Sequence, residues 1–150
     1  MKKQSTIRVK SLAWIEDQGM LFVVRMTDMI KGDQYYRPVG GSVEFGELAI
    51  DTVRREVMEE LNTIVEVTGS PLVVENLFTC DGEAGHEIDY FYPCKFKDKD
   101  FFQRKVFQLH EADGSTWEAS WIPITDCLNG SLRLVPDALL EWYRQGRPQK

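Results

Sequence analysis

Residues 40–61, GGSVEFGELAIDTVRREVMEEL, decide the fold of this chain. The first seven of them, 40–46, are too rich in glycine for a regular element and predict a loop. From Glu47 to Leu61 there is neither glycine nor proline, and apolar residues recur at helical spacing, namely Ile50, Val53, Val57 and Leu61. The pattern predicts a loop that leads into a helix, which ends at Asn62 because asparagine tolerates the left-handed conformation common at helix ends.

Three glutamates form a second stripe on this helix, beside the apolar one. Glu56, Glu59 and Glu60 are spaced i, i+3 and i+4, so their carboxylates lie close together. Like charges at this spacing repel one another unless a cation lies between them, and Mg²⁺ or Mn²⁺ prefers such oxygen ligands. Taken alone, the stripe is also typical of a solvated acidic helix face.

The wider spacing favours the metal site. Gly41, Glu47 and the residues 55–60 stand as Gly-x5-Glu-x7-Arg-Glu-Val-x-Glu-Glu. Six fixed Gly, Glu and Arg positions coincide by chance at on the order of one in 10⁷ start points. This spacing resembles the signature of the Nudix hydrolase family. The chain departs from the family pattern just after the motif, where Asn62 replaces the usual glycine and Thr63 the usual aliphatic residue.

The resemblance implies roles for the motif residues. Glu56, Glu59 and Glu60 would be metal ligands, and a backbone carbonyl of Gly40 or Gly41 would complete the metal shell. Arg55 and Glu47 would form an ion pair that orients the catalytic loop, with Glu56 or a later carboxylate as the base. Elementary chemistry leaves two plainer interpretations open: an ordinary surface ion pair, and a simple tight turn at the glycines.

Substrate contacts are expected from Arg37, Gly40 and Glu87. Arg37 could donate two hydrogen bonds to a phosphate, although a strand residue facing solvent is equally typical. Family members often use a further acidic residue from a later loop as ligand or base. Glu87 is the preferred candidate, because it follows a turn and begins a predicted strand, and its rivals are Glu44 and Glu118.

Other side chains have both a functional and a structural interpretation. His86 could contact substrate, but a lone histidine beside a turn is more often solvated. Four aromatic residues could stack on a nucleobase, although strand aromatics more often belong to the core: Tyr35, Tyr36, Phe78 and Trp117.

The remaining patterns predict a mixed sheet between helices. Alternation and turn residues predict strands at 7–15, 20–26, 35–39, 63–67, 72–78, 87–96, 106–109 and 117–122, with turns at 16–19, 81–85 and 113–114. A closing helix is expected over Pro136–Arg144, and a frayed tail over 146–150. This order predicts an α/β (α+β) fold, and the resemblance implies the Nudix-type α/β/α sandwich, with residues 1–150 forming one domain.

Composition excludes several classes. A net charge of −6 disfavours a protein that holds a DNA or RNA polymer by neutralising its phosphates. No apolar run approaches the ~20 residues of a membrane span, and the N-terminus lacks the apolar region of a secretion signal. The three cysteines are odd in number and lack Cys-x-x-Cys spacing, which favours a cytoplasmic protein without disulfides or a thiolate zinc site.

The resemblance therefore implies a Mg²⁺- or Mn²⁺-dependent hydrolase that cleaves the diphosphate bond of a nucleoside diphosphate linked to another moiety. The alternative is a related module that binds or senses a nucleotide without turning it over. The expected partner is a small diphosphate substrate. The sequence leaves the oligomeric state open, with a homodimer as one alternative.

Overall fold

The computed structural model describes residues 5–111 and 113–146. Its strands are β1 (Arg8–Asp17), β2 (Met20–Thr27), β3 (Gln34–Arg37), β4 (Val39–Ser42), β5 (Val65–Val67), β6 (Leu72–Cys80), β7 (Glu83–Phe96), β8 (Phe107–His110) and β9 (Thr116–Pro123). Its α-helices are α1 (Ala49–Leu61), α2 (Ile124–Leu128) and α3 (Ala138–Arg144), and a 3-10 helix spans Lys99–Phe102. The predicted tail over 146–150 lies, from residue 147 onward, outside the described residues.

The strands form one mixed, curled sheet around β1. On one edge β1 pairs in parallel with β7, and on the other it pairs antiparallel with β4 and then, at its end, with β2. The other edge of β7 pairs antiparallel with β5 and β6. On the opposite side of the sheet, β2 pairs with β3 and β9, and β9 pairs with β8. The predicted mixed sheet is confirmed.

Helices cover both faces of this sheet. Alternate residues of a strand point to opposite faces, and β1 is buried on both. Ala13 and Ile15 lie in the core formed with α1, whereas Leu12 and Trp14 lie in a second core formed with α2 and α3. The two cores establish the predicted α/β/α sandwich.

The prediction of an irregular loop over residues 40–46 was wrong for its first part. Residues 39–42 form β4, whose pairing aligns Gly40 with Leu12 and Gly41 with Ser11. A Cβ on Gly40 would lie 2.2 Å from the backbone oxygen of Ser11, so only glycine lets the two strands approach so closely. Close strand packing, rather than loop flexibility, explains this glycine.

Element ends also differ from the predictions. Helix α1 begins at Ala49 rather than Glu47, β5 begins at Val65, and α3 begins at Ala138, beyond its proline. The turn predicted over 81–85 is shorter, because only residues 81 and 82 separate β6 from β7. Glu87 therefore lies inside β7 instead of at its start. No sequence pattern indicates α2 or the 3-10 helix, because both are too short for a helical period to show.

The two remaining features are the length of the helices and the state of the cysteines. Among the described residues, no helix is long and apolar enough to cross a membrane. Cys80, Cys94 and Cys127 are all free thiols.

Candidate active site

Helix α1 places its carboxylates by burying the apolar stripe beside them. Val53 and Val57 are fully buried against the sheet, so the residues beside them project along the edge of that contact. The helix ends at Asn62, which adopts the predicted left-handed conformation at φ 54° and donates its backbone N–H to the Met58 carbonyl. The predicted helix stop is confirmed, and it fixes the orientation of the last turn.

Arg55 organises the start of the site. Its Nε and Nη2 donate to the two carboxylate oxygens of Glu47 at 2.7 and 2.9 Å, and Nη2 also donates to the Ser42 carbonyl at 3.2 Å. The guanidinium, followed by the Thr52 hydroxyl at 2.7 Å, lowers the pKa of Glu47 to about 2. This is a bidentate contact that joins β4, the following loop and α1, not a single ordinary ion pair.

The same guanidinium reaches the glutamate stripe. Arg55 Nη1 lies 3.1 Å from Glu56 Oε1 and 3.0 Å from Glu59 Oε1. The Glu56 side chain is 16% exposed, whereas that of Glu59 is 55% exposed. Burial raises the pKa of Glu56, and Arg55 opposes that shift. These two carboxylates therefore lie side by side, one half-buried and one open to solvent.

Gly41 leaves space for Glu56. A Cβ at this glycine would lie 2.3 Å from the Cδ of Glu56 and 2.5 Å from both carboxylate oxygens. Any other residue would displace the carboxylate, so the glycine allows a charged group to pack directly against β4. The backbone of Gly41 therefore lies directly against the Glu56 carboxylate.

Glu60 is the most deeply buried member of the stripe. It is 4% exposed, and its Oε1 has no hydrogen-bond partner. Burial, followed by a hydrogen bond with Glu111, raises its pKa to about 9. An unpartnered carboxylate oxygen in a buried position is costly and calls for a cation or a proton.

Glu111 is the residue that the sequence analysis missed. It lies just after β8, is hydrogen-bonded to Glu60 and acts electrostatically on Glu56. It has the property sought in Glu87, an acidic residue at a strand end, but many acidic residues in the chain share that property. Of the two rivals considered, Glu118 pairs with Arg25, and Glu44 lies 3.4 Å from Arg55.

These residues fit a hard divalent cation. The stripe supplies an unpartnered buried oxygen on Glu60, a half-buried carboxylate on Glu56 held against glycine backbone, and the exposed Glu59. Carboxylate and carbonyl oxygens are the donors that Mg²⁺ and Mn²⁺ prefer.

A second acidic group has a structural explanation. Among the described residues, Asp28, Cys80 and Asp81 bring ligand atoms within 4.8 Å of one another. The carboxylate of Asp28, however, already accepts the backbone N–H groups of residues 30, 31 and 81, and Asp81 accepts that of residue 29. These bonds close the β2–β3 loop against the β6–β7 turn, which accounts for both aspartates.

A cavity of about 730 Å³ is lined by Arg37 but by none of the three stripe glutamates. It brings together Arg37 and Glu87, two of the three candidates for substrate contact, and adds Lys10 and Asp89 from β1 and β7. Arg37 lines this cavity, and its charge opposes the rise in the pKa of both Glu60 and Asp89.

The other candidates for substrate contact lie in different places. Gly40 packs against β1 instead of lining the cavity, and His86 pairs with Glu75 at 3.0 Å. Of the four aromatic candidates, Tyr35 and Phe78 line the cavity.

Comparison with known proteins gives one sequence match and several structural ones. The family model described as NUDIX domain matches residues 7–143. No curated protein sequence matches the chain significantly.

Three solved structures illustrate the fold similarity. A NUDIX hydrolase from Nitrosomonas europaea superposes with a TM-score of 0.63 at 18% identity, covering 95% of this chain and 91% of the other. A MutT NUDIX hydrolase from Burkholderia pseudomallei superposes with a TM-score of 0.58 at 21% identity, covering 81% of this chain and 86% of the other. A UDP-X diphosphatase superposes with a TM-score of 0.61 at 18% identity, covering 97% of this chain and 66% of the other.

Proposed function

The chain belongs to the NUDIX domain family, and from this premise we propose that it is a Mg²⁺- or Mn²⁺-dependent hydrolase. Its substrate is a nucleoside diphosphate linked to another moiety, and it cleaves the diphosphate bond. Residues 1–150 act as one domain, which the family match over 7–143 supports. The three free thiols support a reducing, cytoplasmic location.

One observation carries this proposal: a half-buried carboxylate on Glu56, packed against Gly41, lies on the same helix as a buried, unpartnered oxygen on Glu60. Two acidic groups placed this way repel each other and remain poorly solvated, which a bound cation relieves. A surface helix that was merely acidic would instead expose all of its carboxylates.

Each residue then has a chemical role. When bound, the cation neutralises phosphate oxygens and lowers the pKa of water. Glu56, Glu59 and Glu60 hold it, with a carbonyl of the glycine segment. Water adds to one phosphorus, its proton passes to Glu56, and the bridging oxygen leaves with the other phosphate. Arg37 binds a phosphate oxygen from the cavity side, and Arg55 with Glu47 positions the carboxylates.

The test is a substrate panel assayed for phosphate or nucleotide release with Mg²⁺, with Mn²⁺ and with excess chelator. Nucleoside triphosphates, dinucleoside polyphosphates, ADP-ribose and nucleotide sugars cover the main chemical classes. We expect turnover of at least one class with metal and none with chelator. Glu56→Gln should abolish it, whereas Glu66→Gln, at an exposed position on β5, should not.

Two results would contradict the proposal. Undiminished turnover in excess chelator would show that the reaction needs no divalent cation. Tight nucleotide binding without any turnover across the panel would favour the alternative, a nucleotide-sensing module.

A further inference from the structure

The cavity lies on the face of the sheet that packs against α2 and α3. Leu12 and Phe91 line it, and both belong to the core formed with these two helices. Alternate residues of a strand share a face, so Lys10 and Asp89 continue the same rows of β1 and β7, where they pair with each other in the register. The cavity floor therefore changes from apolar to charged just beyond this core.

Lys10 and Glu87 lie close together on the floor without bonding directly. Lys10 Nζ is 3.8 Å from Glu87 Oε2, which exceeds the length of a hydrogen bond, and Nζ makes no hydrogen bond to any other described residue. The two side chains are only 17% and 14% exposed, so water solvates them poorly, and burial lowers the pKa of Lys10. A donor and an acceptor with unmet bonding capacity thus line the same cavity.

Asp89 restrains the acceptor of this pair. It is 2% exposed, is hydrogen-bonded to Glu87 and keeps one carboxylate oxygen without a partner. Burial, followed by the charge of Glu87, raises the pKa of Asp89 to about 7. Two carboxyl groups can bond in this way only by sharing a proton. Glu87 is therefore held both by this hydrogen bond and by its attraction to Lys10.

A hydroxyl group suits this floor better than a purely anionic or cationic group. An alcohol oxygen accepts and donates at once, so a single hydroxyl can accept from Lys10 Nζ and donate to Glu87. Two bonds of about 2.8 Å span the 3.8 Å between these atoms. A phosphate would instead face Glu87, and an ammonium group would face Lys10. The match is independent of which carboxyl group holds the shared proton, because a hydroxyl bonds to either form.

Arg37 indicates which part of a substrate lies over the floor. Its charge acts on Lys10 and Asp89 as well as on Glu60 of the stripe. Its guanidinium makes one hydrogen bond within the described part of the chain, to the Pro38 carbonyl at 3.2 Å, so other N–H donors remain for a phosphate. A phosphate on Arg37 brings the group directly attached to it within reach of the floor. In nucleotides and sugar phosphates that group is a sugar, whereas a base lies one sugar farther away.

We propose that this cavity recognises a sugar attached directly to the diphosphate, with Lys10 and Glu87 bonding one of its hydroxyl groups. Asp89 is a positioning residue that holds the Glu87 carboxyl group in place. The inference rests on the proposed function for the diphosphate, and it narrows the substrate class to compounds whose sugar carries a hydroxyl near the phosphate. That sugar is the ribose of the nucleoside or a sugar on the other phosphate.

The test is binding of monophosphates, which have no diphosphate bond to cleave, measured by NMR titration with Mg²⁺. AMP and its 2′-deoxy and 3′-deoxy forms report on the ribose of a nucleoside. Glucose 1-phosphate and 2-deoxyglucose 1-phosphate report on a sugar carried by the other phosphate. In at least one set, loss of a hydroxyl should weaken binding about tenfold or more, as expected for a hydrogen bond to a charged group. The set that shows this loss identifies the sugar.

Lys10→Met removes the ammonium group and keeps the length of the side chain. The hydroxyl then loses its donor, so the variant should lose most of the preference for the hydroxylated probes while the affinity for the deoxy probes changes far less. Lys95→Met, at an exposed position on β7, is the matched control and should keep the wild-type preference.

Equal affinity within both sets of probes would overturn the inference. That comparison uses the wild type, so it decides the matter even where Lys10→Met does not fold. An undiminished hydroxyl preference in Lys10→Met would also overturn it, because the contact would then lie elsewhere. Failure of the proposed function looks different: the hydroxyl preference would persist while no diphosphate in the panel was hydrolysed.

Discussion

Arg55 holds both oxygens of Glu47 at once, through Nε at 2.7 Å and Nη2 at 2.9 Å. Glu47 precedes α1 and Arg55 lies in its second turn, so the pair ties the loop after β4 to the helix that carries the glutamates. Planar, bidentate geometry of this kind is specific to arginine.

Arg55→Lys should therefore damage catalysis more than folding. Lysine keeps the charge but cannot bond both Glu47 oxygens and still reach Glu56, so the carboxylates lose their alignment. We expect kcat to fall at least tenfold. Arg54→Lys, at an exposed arginine that contacts Asp51 at 3.6 Å, is the matched control and should be near wild type.

The same substitution should alter acid stability. The pKa of Glu47 is lowered to about 2 in the folded protein, against an ordinary 4.5, chiefly by Arg55. Its contribution to the free energy of unfolding is thus present above pH 4.5 and lost as the pH falls toward 2. Acid unfolding of Arg55→Lys should begin at higher pH than that of Arg54→Lys, and coincident acid transitions would contradict the role given to this pair.

Gly41→Ala should weaken metal binding. The added Cβ would lie 2.3 Å from Glu56 Cδ, so the carboxylate must move away from β4. We expect the metal concentration needed for half-maximal activity to rise about tenfold or more. Ser42→Ala removes only a hydroxyl that accepts from Arg8, and serves as the control. Unchanged metal dependence in Gly41→Ala would place the cation elsewhere.

Glu59→Gln separates metal binding from folding. Glu59 is exposed, and losing its repulsion toward Glu56 and Glu60 offsets losing its contact with Arg55, so without metal the melting temperature should shift by no more than about 2 °C. Metal should raise the melting temperature of the wild type more than that of the variant, because stabilisation follows affinity. Turnover should fall in parallel. If Glu59→Gln keeps both the wild-type rate and the wild-type rise in melting temperature with metal, Glu59 is not a ligand.

Asp89→Asn should change the pH dependence of stability. The pKa of Asp89 is about 7 in the folded protein, raised from 3.8 first by burial and then by Glu87. The stability it contributes is full below pH 3.8 and is lost as the pH rises through about 7. Asparagine mimics the protonated form of Asp89. The free energy of unfolding of the variant should therefore rise relative to that of the wild type between pH 5 and pH 8, by about 1.4 kcal/mol for each pKa unit at most.

Urea unfolding across this pH range measures that difference. Asp100→Asn, at an exposed position in the 3-10 helix, is the control and should run parallel to the wild type. Parallel curves for Asp89→Asn would show that Asp89 is ionised throughout, and that Glu87 is held by Lys10 alone.

Local sequence determined the helix, its stop and the glutamate stripe. The period of Val53 and Val57 fixes which face of α1 is buried, and Asn62 ends it, because these features depend on backbone geometry within a few residues. The motif spacing placed Gly41 beside Glu56 for the same reason: a strand, a short connection and a helix have little freedom in how they pack.

Tertiary structure alone decided which acidic groups meet. Glu111 reaches Glu60 because β8 packs against α1, and Glu87 meets Lys10 because β7 pairs with β1, far away in the sequence. It also made a strand of residues 39–42, since Gly40 packs on β1 where no local signal exists. Burial depends on what the rest of the chain brings against a residue, and that is why Glu59 and Glu60, adjacent in sequence, differ so much in exposure.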